Sequence, residues 1–191
     1  MENNKREAKL NGKDIIGKRV LILGEVGSGK TRLAAKLLQE LTLLTNPEKI
    51  TIIDLAPERT EGAGGKIKDY VNLAHGIHYL SPSKIYTPRL TGKSRDEILH
   101  YAEANKKAIE PLLDEYIKKP TETLIINDVT IYLHLGALEK ILECAKLAKT
   151  FLATAYYGER LSRDFGTGIS KREKQLTERL AALMDLTIKI N

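Results

Sequence analysis

Gly24-Glu25-Val26-Gly27-Ser28-Gly29-Lys30-Thr31 decides how this chain is read. It fits G-x-x-x-x-G-K-[ST] at every fixed position. The run before it, Arg19-Val20-Leu21-Ile22-Leu23, is short, continuous and apolar, and predicts a strand buried on both faces. The stretch after it, Lys30 to Leu44, carries leucines at 33, 37, 38, 41 and 44, which is helical spacing. A strand, a glycine-rich turn and a helix N-terminus together aim backbone N–H groups and a partial positive charge at one point. Such a point cradles phosphate oxygens. The residues expected to touch a nucleotide are Gly24, Val26, Gly27, Ser28, Gly29, Lys30, Thr31 and Arg32. Lys30 is expected to reach the β- and γ-phosphates, and the Thr31 hydroxyl to ligate Mg²⁺.

Further strands are predicted at 50–55, 123–128, 150–155 and 186–190, with a short one at 77–80. Helices are predicted between them: a short one at 66–74, a long one opened by the capping pattern Ser94-Arg95-Asp96-Glu97, one at 134–148 and one at 171–184. Pro111 is expected to kink or split the long helix. Strands that alternate with helices require crossovers, and crossovers build a parallel sheet covered on both faces. Ligands of such sheets bind at the carboxyl ends of the strands. Residues 1–18 read as an N-terminal arm, and 19–191 as one domain with an irregular insert at 58–93 and a mobile loop at 156–174.

These motifs resemble the P-loop NTPases, and within them the RecA/KaiC-like ATPases, including short archaeal ATP-binding proteins. The resemblance covers nearly the whole chain. It implies a three-layer α-β-α fold with a mostly parallel five-stranded core sheet in the order 5-1-4-3-2, counting the five long strands. It also implies ATP and Mg²⁺ as ligands, hydrolysis of ATP, a nucleic-acid or protein partner and a homo-oligomer.

Thr123-Leu124-Ile125-Ile126-Asn127-Asp128 resembles the family's Walker B strand, with Asp128 delivered to Mg²⁺ at its tip. Many members follow that carboxylate with a catalytic Glu, whereas Val129 and Thr130 follow it here. The resemblance then points to the end of the second strand for a general base: Glu58 first, Asp54 second. Asn127 is an alternative that orients water without taking its proton. Thr154 and Tyr156, at the end of the fourth long strand, are candidates to sense the γ-phosphate. The loop Glu159-Arg160-Leu161-Ser162-Arg163 offers Arg160 and Arg163 as arginine fingers.

Two other functions stay open beside the ATPase. One is a nucleotide or small-molecule kinase, with an Arg-bearing lid. The other is a nucleotide-binding switch without turnover. The 58–95 stretch carries a net charge of +4 within a chain of +6, and tyrosines 70, 79 and 86 interleave with its cations. That pattern suits single-stranded nucleic acid or an ordinary solvated face.

Composition narrows the field. Hydrophobic residues are 42% and charged residues 29%, as in a folded globular chain. The single cysteine, Cys144, excludes an intramolecular disulfide and points to a reducing compartment. No segment approaches the roughly 18 apolar residues of a membrane span, and the N-terminus lacks a secretory h-region, so a cytoplasmic location without membrane contact is expected. The abundance of Lys, Glu and Ile resembles thermophile composition. The four histidines form no zinc spacing, no G-x-S-x-G elbow is present, and no N/T-K-x-D motif stands at a strand end to read guanine.

Overall fold

The computed structural model describes residues 10–59 and 65–190. The first nine residues of the expected arm and most of the Gly62-Ala63-Gly64-Gly65 run lie outside the described residues.

Six strands form one sheet. They are β1 (Arg19–Gly24), β2 (Ile50–Asp54), β3 (His78–Leu80), β4 (Thr123–Asn127), β5 (Thr150–Tyr156) and β6 (Leu186–Ile190). Their order is β3-β2-β4-β5-β1-β6, and every pairing is parallel. The five long strands stand in the expected order. The expected count of five is corrected to six, because His78–Leu80 pairs with Thr51–Ile53 and extends the sheet past β2.

Alternation along the strands divides the core into two layers. Leu21 and Leu23 of β1, Leu124 and Ile126 of β4, and Phe151, Ala153 and Ala155 of β5 face one side. Val20, Ile22, Ile125 and Leu152 face the other. The second side is covered by α1 (Gly12–Ile15) and α2 (Lys30–Thr42), through Ile15, Ala34, Leu37, Leu38 and Leu41. The first side is covered by α4 (Arg95–Lys118), α6 (Leu138–Leu147) and α7 (Ile169–Ala182), through Ile109, Leu113, Ile141, Cys144, Leu176 and Leu180. The predicted α-β-α sandwich is therefore the observed architecture.

Local differences have local causes. Part of the expected arm is helical: in α1 the Asn11 side chain caps Lys13 and the Gly12 N–H donates to Glu40 of α2. The stretch at 66–74 holds only a 3-10 turn, Ile67–Asp69. Pro111 does not split α4, which runs unbroken over 24 residues. Pro111 and Lys107, whose carbonyl loses its donor, are both exposed, so water can take that bond. The helix expected at 134–148 is α6, which starts only at Leu138, and a separate short helix, α5 (Thr130–Leu133), precedes it. The break is a turn closed by the Gly136 N–H on the Tyr132 carbonyl at 2.7 Å. The remaining α-helix, α3 (Pro88–Thr91), lies in the insert, with Pro at its first turn.

Candidate nucleotide site

The 24–31 loop joins the carboxyl end of β1 to the first turn of α2. Gly27 and Gly29 have φ of +76° and +94°, a left-handed backbone that a Cβ would strain. Gly29 is also the N-cap of α2, so the orphan N–H groups of that helix open into the loop. A cavity of about 480 Å³ lies there, lined by Val26, Gly27, Ser28, Gly29, Lys30, Thr31 and Arg32 on one side and by Arg59, Tyr70, Asp128 and Thr154 on the other. Seven of the eight residues expected to hold a nucleotide line it. Gly24 sits beneath, its carbonyl accepting from Lys30 Nζ at 3.0 Å. Lys30 Nζ also donates to the Glu25 carbonyl at 2.7 Å. Burial holds the Lys30 ammonium below the usual lysine range, partly offset by the nearby Asp128 and Glu25 carboxylates.

The tip of β4 departs from the sequence reading. The strand ends at Asn127, and it is Asn127 Oδ1 that receives the Thr31 hydroxyl, at 3.3 Å. The same oxygen accepts from Thr154 Oγ1 at 2.8 Å. Asn127 Nδ2 donates to Asp54 Oδ1 at 2.8 Å. Asn127 is thus a neutral hub joining the P-loop helix to the tips of β2 and β5. Asp128 follows in a left-handed backbone, φ +59°, with its N–H on Thr154 Oγ1 and its Oδ1 receiving the Thr130 hydroxyl at 2.6 Å. Protein packed around the Asp128 carboxyl desolvates it and pushes its pKa up, against the Thr130 hydrogen bond and the Lys30 charge.

The other expected residues divide. Thr154 lines the cavity, whereas the Tyr156 hydroxyl is turned away to accept the Leu161 N–H at 3.0 Å. Asp54 is fully buried, and its carboxylate receives the Ile67 N–H, the Tyr79 hydroxyl and the Asn127 amide. That environment corrects its expected role as a base, since its lone pairs are occupied and it does not line the cavity. Glu58 is exposed, 3.9 Å from Lys66 Nζ, and lies on the rim of a second cavity of about 160 Å³ that reaches Asp128 and Val26. Arg160 and Arg163 are exposed and line neither cavity. The Arg163 guanidinium lies over the Phe165 ring.

Three functional-looking groups carried no sequence signal. Glu173 of α7 receives both Arg89 Nη2 of the insert and His134 Nε2, and all three side chains are buried. Arg89 also caps the Leu161 carbonyl and stacks over Tyr156. Lys66 is likewise internal, donating to the Ala56 carbonyl and to Ser81. Two cations of the +4 stretch are therefore spent inside the fold rather than on a nucleic-acid face.

The donor set fits a Mg²⁺–nucleotide. Thr31, Asn127 and Asp128 supply hard oxygen atoms, which suit an ion held mainly by phosphate and water with few protein ligands. Among the described residues no cluster of three or more His, Cys, Asp or Glu forms an all-protein cage. Ser28 Oγ, in the loop, is buried with no hydrogen-bond partner.

The family model for the central domain of the helicase HerA matches residues 1–181. The chain belongs to the HerA central-domain family. The flagellar accessory protein FlaH from Methanocaldococcus jannaschii shares the fold, with a TM-score of 0.54 and 11% identity over 99% of this chain and 76% of that one. The Pif1 helicase from Candida albicans aligns at a TM-score of 0.43 and 15% identity, over 99% of this chain and 38% of that one. An ATPase from the type III secretion system of pathogenic bacteria aligns at 0.44 and 13%, over 92% and 51%. Those two are too distant to bear on function. A comparison with curated proteins finds no match. The HerA-family membership and the RecA-like P-loop fold agree with the motif at 24–31.

Proposed function

We propose that this HerA-family domain binds ATP with Mg²⁺ and hydrolyses it, with turnover set by a nucleic-acid or protein partner. The observation that carries the reading is the convergence of the P-loop amides, Lys30, Thr31 and Asp128 on one cavity. The P-loop amides and Lys30 stabilise charge on the phosphate oxygens as the terminal bond breaks. Thr31 and the β4 tip would hold the metal, which supplies charge neutralisation at the β- and γ-phosphates when bound. Asp128, on the cavity wall with Lys30 and Thr31, orients the attacking water and accepts its proton. The helicase named in the family supports a nucleic-acid partner.

A second reading, transfer of the phosphoryl group to an acceptor, is favoured by the 160 Å³ cavity. It flanks Asp128 and is lined by Thr87, Thr91, Arg89 and His134. One assay separates the two. Purified protein is given Mg²⁺ and labelled ATP, with and without single- and double-stranded DNA or RNA, and the products are identified. Free phosphate, released faster with nucleic acid, supports the first reading. Label appearing only on an added small acceptor supports the second, and no turnover above solution refutes both.

A further inference from the structure

Glu25, at a variable position of the P-loop motif, makes more backbone contacts across the fold than any reading of that motif requires. Its Oε1 receives the Val26 N–H at 2.9 Å. Its Oε2 receives the N–H groups of Glu159 at 2.9 Å and Arg160 at 3.2 Å. Gly158 lies so close that a Cβ there would overlap the Glu25 carboxylate. The next residue, Leu161, is fixed as well, its N–H on Tyr156 Oη and its carbonyl on Arg89 Nη1. Three consecutive residues at the base of the arginine-bearing loop are therefore held through their backbone, two of them by the P-loop itself. Among the described residues the Arg160 guanidinium has no hydrogen-bond or ion-pair partner, and the residue is exposed.

Glu25 is tied to the cradle at its other end. Its carbonyl accepts from Lys30 Nζ, the ammonium group on the cavity wall that a phosphate would meet. Burial pushes the Glu25 carboxyl up, but the N–H groups of Val26, Arg160 and Glu159 outweigh it and hold the carboxyl below its ordinary range. A polyanion entering the cradle attracts Lys30 and repels this carboxylate, so the empty and loaded cradles bear differently on residues 158–161.

We propose that Glu25 is a positioning residue that couples occupancy of the phosphate cradle to the placement of the Arg160 segment. The signal rests on the nucleotide reading above; the mechanical link does not. The test is amide hydrogen exchange on the full chain. In nucleotide-free protein, Glu25→Ala should speed exchange at the Glu159 and Arg160 amides about tenfold, the loss expected for a charge-assisted hydrogen bond. Amides of β4 should keep their wild-type rates, which reports that the variant is folded.

Gly158→Ala should loosen the same two amides, because its Cβ displaces the carboxylate. Added to Glu25→Ala it should change nothing more, because the obstacle is gone. Unchanged exchange in Glu25→Ala, or additive effects of the two substitutions, overturns the link. Should Glu25→Ala not fold, Glu25→Gln removes the charge and one acceptor and is scored by the same criteria.

The slowly hydrolysed analogue ATPγS is then added with Mg²⁺. Exchange at 159–161 should change in the wild type and not in Glu25→Ala. Demonstrated binding with no change in the wild type overturns the coupling. Absence of binding overturns the nucleotide reading alone, and the nucleotide-free cycle still decides the link.

Discussion

Replacing Asn127 by Asp tests whether the β4 tip is held together by a neutral hub. In the wild type, Asn127 Nδ2 donates to Asp54 Oδ1 at 2.8 Å, and both residues are fully buried. Asn127→Asp puts an acceptor where a donor stood. Two full charges at that separation repel by about 6 kcal/mol at an effective dielectric of about 20. The folded variant escapes part of this by holding one proton between the two carboxyls, which leaves a cost of about 4 kcal/mol at pH 7. For a chain of this size that lowers the melting temperature by roughly 8–16 °C. The pH dependence has a fixed sign. Between pH 5 and 7 the folded variant keeps a proton that the unfolded chain releases, so its stability falls as pH rises. The deficit against wild type should therefore shrink towards pH 5 by up to about 1.4 kcal/mol per pH unit. The assay is urea unfolding of both proteins at the two pH values. Equal stability at pH 7, or a deficit independent of pH, would falsify the placement of the Asn127 amide against Asp54.

Further consequences can be measured alongside. Glu173→Gln strips the buried Arg89 of its carboxylate partner and should cost about 3–5 kcal/mol in denaturant unfolding; a change below about 1 kcal/mol would show that Arg89 and His134 do not depend on it. Asp128→Asn should slow phosphate release by about a hundredfold or more while ATP still binds; near-normal turnover would remove Asp128 from the chemistry. Cys144 is buried and its thiol is pushed up to about 12, so a thiol reagent at pH 8 should label it only when the chain unfolds; rapid labelling of native protein would contradict its place in the core.

The strands were legible because each is a short apolar run bounded by turn residues, and the P-loop because its glycines and lysine are spaced by the geometry of one turn. The order of the five long strands followed once the family was recognised. β3 was read as a strand, but its pairing was not, since three residues carry no register signal of their own. The hub at Asn127 was hidden for a related reason. Asn127 and Asp128 are adjacent polar residues, and which of them meets Thr31 depends on where β4 stops against α2. Asp54 looks like a free carboxylate in the sequence, but Ile67, Tyr79 and Asn127 converge on it only in the fold. Arg89, His134 and Glu173 come from three separated segments, and no local pattern links them. The basic insert misled in the same way, because burial of Lys66 and Arg89 cannot be read from charge alone.

Residues 24–31 form a working phosphate cradle around Lys30. Calorimetric titration of the wild type and of Lys30→Ala with ATP, in Mg²⁺ and in chelator, decides this. Binding to the wild type should be saturable and tighter with Mg²⁺, and affinity at least about tenfold weaker in Lys30→Ala, the effect of losing one charged hydrogen bond. Equal binding by both proteins, or none by a folded wild type, would contradict it.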